Sequence, residues 1–188
     1  MTISTNPALH AVTNAIVNAA KGPHPLEQIQ TVLHDITNRF CRLGVLVHEE
    51  EDDEVLLHAS QNLTIYHITL SPGLQYPPHD HLMDAVIGIY NGGETNFIYP
   101  VVAGMLGVPE RRDFTAPTLV HLLPQTVHSV ANTGSGRSGA LHVYLGDLPR
   151  ACRHLWSLQS NQAEPFDNDR YLAGAQPIQR SISEHKKW

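Results

Sequence analysis

The sequence predicts an all-β fold, an antiparallel sandwich or barrel, preceded by a two-helix N-terminal extension. The first observation is a succession of short strand-like segments between residues 63 and 145, which turn signals separate without any helical pattern. This spacing is typical of antiparallel sandwiches and barrels. The second is Asn91-Gly92-Gly93, a hairpin signal between two strand-like segments. The third is an apolar stripe over residues 25–43, which predicts a helix.

Two helices are predicted at the N-terminus, over residues 7–21 and 25–43. The apolar residues of the second recur at steps of three and four: Ile29, Val32, Leu33, Ile36, Phe40 and Leu43. Pro25 suits the first turn of a helix, and Gly44 suits its end. An acidic run over residues 49–54 follows, and we expect it to form a solvated turn.

The strands of the barrel are expected in the second third of the chain and just beyond. They are predicted over residues 63–70, 84–90, 94–99, 118–123, 127–132 and 139–145, after a strand-like Val55-Leu56-Leu57-His58. The tail is predicted to be partly helical around residues 150–158 and irregular afterwards. The predicted organisation is therefore a helical extension (1–54), a barrel (55–147) and a C-terminal tail that packs on the barrel (148–188).

Composition excludes several classes of function. The chain has 188 residues and a net charge of −6, which argues against a nucleic-acid partner because such proteins carry a concentrated basic surface. No apolar run reaches the length of a membrane span, and the N-terminal residues lack the pattern of a signal peptide. Cys41 and Cys152 are far apart, which fits a reducing cytoplasm. A homodimer is reasonable, because any edge strand of the predicted barrel and the helical extension offer surfaces for a second copy.

The most informative motif is Pro77-Pro78-His79-Asp80-His81, together with His128 in a later strand. Histidines at positions i and i+2 of an extended segment point to the same side, and the two prolines disfavour a helix there. A third imidazole from a distant strand completes a metal site with open positions for a substrate. The metal ligands are therefore predicted to be His79, His81 and His128, with an accidental cluster as the alternative. Asp80 points to the opposite side, where we expect either a structural role or a contact that orients a metal ligand.

These residues resemble the cupins, small β-barrels of the double-stranded β-helix (jelly-roll) type that hold one metal ion. The first cupin motif is matched by Gly73, His79-x-His81 and Gly92, and the second by His128 with Asn132. The acidic ligand that is usual in the first motif is absent, which leaves three neutral imidazoles. Such a site suits a divalent first-row metal that must still bind an anionic substrate and O2. Fe(II) is the first choice, and imidazole also accepts Zn, Ni, Mn or Cu.

A narrower resemblance, to the cysteine dioxygenase group of cupins, includes the strand Ala140-Leu141-His142-Val143-Tyr144. In that group, which oxidises small thiols to sulfinates, a Ser-x-His-x-Tyr strand lies beside the iron. The resemblance implies that His142 and Tyr144 are catalytic, with Tyr144 reaching toward substrate and oxygen, and that Ala140 shortens the relay by its serine. It also implies that Arg153, or Arg150, binds the substrate carboxylate, for which a planar guanidinium is suited.

The sequence thus predicts an O2-dependent dioxygenase that acts on a small thiol carboxylic acid. The alternatives are a cupin dioxygenase of another substrate class, such as a β-diketone, and a non-enzymatic cupin that binds a metal or a ligand. His67 and His121 are expected to be structural, and the histidines outside the strand core are expected at the surface: His10, His24, His34, His48, His154 and His185.

Overall fold

The computed structural model describes residues 7–45, 53–157 and 159–178. The helices are α1 (Pro7–Ala19), α2 (Pro25–Leu43) and α3 (Asn168–Ala173), and a 3-10 turn covers Leu148–Arg150. The strands are β1 (Glu54–Ala59), β2 (Thr64–Ile68), β3 (Leu74–Gln75), β4 (Ala85–Asn91), β5 (Gly93–Tyr99), β6 (Val101–Val102), β7 (Met105–Leu106), β8 (Glu110–Thr115), β9 (Thr118–Leu122), β10 (Val127–Ala131), β11 (Gly139–Tyr144), β12 (His154–Trp156), β13 (Ala163–Pro165) and β14 (Gln176–Pro177).

Two five-stranded antiparallel sheets form the walls of the barrel. Their strand orders are β1-β2-β11-β4-β9 and β14-β3-β10-β5-β8. Successive strands mostly change sheet, so β2, β4, β9 and β11 belong to one wall, and β3, β5, β8 and β10 belong to the other. This alternation is the double-stranded β-helix, or jelly-roll barrel. The fold class predicted from the sequence, including its two N-terminal helices, is confirmed.

Helices α1 and α2 cover the outer face of the first sheet, because alternate residues of its strands point outward. On β11, Leu141 and Val143 are fully buried against the apolar residues of α1 and α2. Ala140 and Tyr144, which point to the opposite face of β11, belong to a second buried cluster in the barrel interior. One face of each strand therefore packs under the helices, and the other face points into the barrel interior.

Helix α2 approaches β4 closely at Gly88. A Cβ atom built on Gly88 would lie 2.4 Å from Thr37 Oγ1 and 2.8 Å from Leu33 Cγ, so a larger residue would force the helix outward. The helix ends as predicted at Gly44, which has φ 59° and caps it in the left-handed conformation. None of the helices in the described ranges is long and apolar enough to cross a membrane.

The C-terminal segment differs from its prediction. Residues 150–158 were expected to be partly helical, but His154–Trp156 form β12, which pairs with β13. The backbone of β12 also bonds the histidine motif, since Trp156 N donates to Pro78 O at 2.8 Å. These strand bonds replace the helix, because the edge of the motif offers unpaired backbone groups.

Two further expectations need correction. Strand β8 was not predicted, because Glu110 to Asp113 are all charged and mostly exposed on a sheet edge. The acidic run was expected to be solvated, yet Glu54 begins β1 and is half-buried beside the barrel interior. Residues 49–52 of that run lie outside the described ranges, as do His48 and His185.

Candidate metal centre

The barrel brings the three predicted ligands together. His79 and His81 lie on the extended segment between β3 and β4, and His128 lies on β10. A pair of backbone hydrogen bonds joins His79 to His128, with N···O distances of 2.9 and 3.0 Å. One nitrogen of each side chain lies within 4.8 Å of the others, and all three residues are buried. Strand alternation and this register explain why the imidazoles converge.

The arrangement of hydrogen bonds around the imidazoles suits metal binding. Asn96 Oδ1 lies 2.6 Å from Nδ1 of His128, and the Pro77 carbonyl lies 3.0 Å from Nδ1 of His79. Each acceptor requires Nδ1 to carry the proton, which leaves Nε2 free to bind a cation. Nε2 of His128 is indeed buried with no hydrogen-bond partner among the described residues.

Burial also keeps these ligands neutral. It lowers the pKa of His79 to about 3 and lowers the pKa values of His81 and His128 well below the ordinary histidine value. A neutral imidazole is the form that binds a metal. The three side chains therefore fit a divalent cation that accepts nitrogen ligands, and they add no negative charge to it.

Replacing Asn96 with alanine is expected to weaken metal binding by about 10- to 100-fold, the usual effect of losing a group that orients a metal-binding histidine. Nδ1 of His128 would lose its acceptor, and the ring would no longer be held in one tautomer. Competition with a chromophoric chelator measures the affinity. The matched control is Asn38→Ala, in helix α2 and outside the barrel interior. Equal affinities for both variants would contradict the role given to Asn96.

His142 and Tyr144 lie beside this cluster, on the inward face of β11. The Tyr144 ring is 4.9 Å from the His81 ring, centroid to centroid, and its hydroxyl oxygen is 3.3 Å from Nδ1 of His142. Burial, reinforced by the negative charge of Glu54, raises the pKa of Tyr144. The phenol is therefore a neutral group that can donate or accept a hydrogen bond near the metal.

A cavity of about 40 Å³ adjoins the three histidines. A buried space of this size holds about three water molecules, so a complementary ligand is small. His142, Tyr144 and Arg153 contribute to its wall, and the remaining lining residues are largely aromatic or apolar: Tyr66, Ile68, Leu70, Val130, Leu148, Phe166 and Tyr171, with Glu54 and Asn168. The predicted site residues thus meet around one small space.

Among the described residues, Arg153 is the only lysine or arginine that lines the cavity. Its guanidinium carbon lies 3.4 Å from the centroid of the Phe166 ring, which fixes the plane of the group. Burial lowers the pKa of Arg153, and nearby tyrosines including Tyr144 oppose this effect. Arg150, the alternative carboxylate ligand that the resemblance implies, has an 87% exposed side chain and pairs with Asp147 at the surface.

Asp80 connects the metal ligands to the segment that carries Arg153. Its carboxylate accepts from the backbone nitrogen of His154 at 2.6 Å and lies 2.9 Å from Nδ1 of the same residue. His154 was expected to be an ordinary surface residue, but it joins β12 to the histidine motif. Asp80 therefore has a structural role, because its carboxylate holds His154 and β12 against the histidine motif.

His67 and His121 lie away from the cavity. Nε2 of His67 is 2.7 Å from the Tyr90 hydroxyl, and burial lowers the pKa of His67 to about 4. Nε2 of His121 is 2.8 Å from the Asp84 carboxylate. Both contacts fit the structural roles predicted for them.

Four residues of the site were missed by sequence reasoning: Glu54, Glu94, Asn96 and Tyr171. Glu94 and Asn96 are polar residues at alternate positions of β5, and both are buried. Polar side chains on the inward face of a strand are a signal that could have been found, because the hairpin at Asn91-Gly92 sets the alternation. Tyr171 lies in α3, in a tail predicted to be irregular, and no local pattern places it 4.9 Å from the His79 ring.

No family model and no curated protein matches the chain. Among solved structures, it is similar to an uncharacterised conserved protein with a double-stranded β-helix domain from Klebsiella pneumoniae, with 15% identity over 61% of this chain and 87% of the other, at a TM-score of 0.45. It is also similar to an RmlC-like cupin family protein from Methanocaldococcus jannaschii, with 17% identity over 56% and 93% of the two chains and a TM-score of 0.44. A variant of oxalate decarboxylase from Bacillus subtilis shares 17% identity over 47% and 22%, with a TM-score of 0.41. These likenesses concern the fold alone.

Proposed function

We propose that the protein is a metal-dependent dioxygenase, with Fe(II) as its metal, that oxidises a small thiol carboxylic acid to a sulfinate. One observation carries the proposal: a single small cavity is bordered by three neutral imidazoles, the Tyr144 hydroxyl and the Arg153 guanidinium. The imidazoles leave the charge of a divalent cation uncompensated, which favours an anionic sulfur ligand. Arg153 offers a matching partner for a carboxylate at the other end of a short molecule.

The reaction needs no external reductant. A thiol and O2 combine to give a sulfinic acid, with both oxygen atoms on sulfur; the sulfur loses four electrons and O2 gains them. When bound, Fe(II) supplies the coordination positions at which the thiol and O2 meet, and it favours loss of the thiol proton. The residues of the chain then hold the reactants in reach of one another.

Each cavity residue has a definite task in this proposal. Arg153, held flat against Phe166, binds the substrate carboxylate and fixes the direction in which the sulfur points. Tyr144 donates a hydrogen bond from its hydroxyl to the reacting oxygen, and His142 holds that hydroxyl in place. The aromatic wall limits access of water and limits the length of the substrate.

The test is O2 uptake by protein loaded anaerobically with Fe(II) and then given mercaptopropionate, cysteine, cysteamine or acetylacetone. We expect uptake with a carboxylated thiol and formation of its sulfinate. Uptake with acetylacetone alone would instead favour cleavage of a β-diketone. Absence of turnover with full iron, together with a ligand-dependent rise in Tm, would favour a binding protein and overturn the enzymatic proposal.

Replacing Arg153 with alanine is expected to raise KM for mercaptopropionate by about 10- to 100-fold, because a hydrogen bond to a charged group contributes about 1.5–3 kcal/mol. KM for cysteamine, which lacks a carboxylate, should change little. Steady-state O2 consumption measures both constants. Arg150→Ala removes a neighbouring exposed arginine and serves as the control. An unchanged KM for mercaptopropionate in the Arg153 variant would remove this residue as the carboxylate anchor.

A further inference from the structure

Glu94 is a buried carboxylate close to the cavity residue His142. It lies on the inward face of β5, and its side chain is only 1% exposed. Neither carboxylate oxygen has a hydrogen-bond partner among the described residues.

The basic group nearest to this carboxylate among the described residues is His142. Nε2 of His142 lies 3.5 Å from Oε1 of Glu94, and this nitrogen is likewise buried without a hydrogen-bond partner in the described part of the chain. The other ring nitrogen, Nδ1, lies 3.3 Å from the Tyr144 hydroxyl. Glu94, His142 and Tyr144 therefore form a row that ends at the cavity beside the metal ligands.

Charge decides how protons are arranged along this row. A buried carboxylate that lacks a partner is very costly, and an opposite charge close by removes most of that cost. With a proton on each ring nitrogen, His142 would supply this charge and would have a hydrogen to donate on both sides. Nε2–H would then point to Glu94, 3.5 Å away, and Nδ1–H to the Tyr144 oxygen, 3.3 Å away, so the hydroxyl hydrogen of Tyr144 would face the cavity.

We infer that Glu94 is a positioning residue that acts through His142 to keep the Tyr144 hydroxyl aimed as a hydrogen-bond donor into the cavity. In its kinetic part this inference rests on the proposed function. In the cysteine dioxygenase group a serine stands where this chain has Ala140. Here the Glu94 carboxylate, from the opposite sheet, would take the place of that serine beside His142. Glu94 does not line the cavity, and the side chain of His142 lies between it and Tyr144.

Neutron diffraction from crystals of the Zn(II)-loaded wild-type protein tests the proton arrangement without any turnover. We expect deuterium on both ring nitrogens of His142 and none on Glu94. A neutral His142, or a protonated Glu94, would overturn the inference even if the protein is a thiol dioxygenase. Conversely, the expected pattern in a protein without thiol activity would keep the arrangement and reject only the reaction.

Variants at Glu94 test its effect on rate. Glu94→Gln is nearly the same size but lacks the charge, and it should lower kcat with mercaptopropionate about 10-fold or more while KM stays within about twofold, since the Tyr144 contact is lost in the transition state. Glu94→Asp keeps the charge and should recover part of kcat. Glu110→Gln, at an exposed ion pair on β8, is the matched control.

A double-variant comparison separates positioning from general damage. If Glu94 acts only through Tyr144, then adding Glu94→Gln to Tyr144→Phe should lower kcat little further, because residues of one hydrogen-bonded row are not additive. Additive losses, or an unchanged kcat in Glu94→Gln, would contradict the inference. Bound Zn(II) per chain, measured for every variant, verifies that the metal site is intact.

Discussion

Replacing His128 with alanine is expected to abolish stoichiometric metal binding and, with it, O2 uptake. His128 supplies one of three nitrogen ligands, and its Nε2 is buried with no hydrogen-bond partner in the described part of the chain. Two imidazoles, His79 and His81, would remain on one short segment, and these hold a divalent ion far less tightly. Metal content per chain, measured after loading with Fe(II) or Zn(II) and gel filtration, should fall from about one to near zero.

The control for this variant is His121→Ala. His121 is also a strand histidine with a hydrogen-bonding neighbour, the Asp84 carboxylate, but it lies outside the cavity. It should keep full metal occupancy, which shows that loss of a histidine does not by itself unfold the barrel. Full occupancy in the His128 variant would remove this residue from the ligand set and contradict the three-histidine site.

The second large effect is expected from Tyr144→Phe, which removes one oxygen atom and keeps the ring. The ring contact with His81 at 4.9 Å centroid distance is preserved, so metal binding should be unchanged. We expect kcat for thiol oxidation to fall about 100-fold, the lower end of the contribution of a positioned proton donor. Single-turnover and steady-state O2 consumption together measure whether the loss lies in chemistry or in binding.

Tyr99→Phe is the matched control, since Tyr99 ends β5 and does not line the cavity. Its kcat should equal that of the wild type. If the Tyr144 variant retained the full kcat, the hydroxyl would have no part in the reaction and Tyr144 would be a packing residue of the barrel interior.

Local patterns in the sequence predicted much of the site. The spacing of His79 and His81 placed both side chains on one side of an extended segment, and the apolar stripe of α2 predicted a helix with the bounds that the structure has. The hairpin at Asn91-Gly92 likewise predicted the turn between β4 and β5. These features depend on a few neighbouring residues, so periodicity and turn chemistry suffice for them.

The parts that could not be predicted depend on contacts between distant segments. The contact of Asn96 with His128 requires the register of β5 against β10, in which Asn96 lies opposite Val130. Glu94 and His142 lie on strands of different sheets, so their proximity depends on how the two sheets pack together. Glu54 was expected to be solvated, because it ends an acidic run and nothing in its neighbouring residues indicated that it begins a strand beside the barrel interior. Pairing register is set by the whole barrel and not by either strand alone.

The measurement that tests the account most directly is one turnover of Fe(II)-loaded protein with mercaptopropionate in an atmosphere of oxygen-18, followed by mass spectrometry of the product. We expect a sulfinate in which both oxygen atoms are labelled, at a yield proportional to the iron content. Disulfide as the main product, or a sulfinate with one unlabelled oxygen, would contradict it, because neither arises when both atoms of one O2 are transferred to sulfur beside the three histidines.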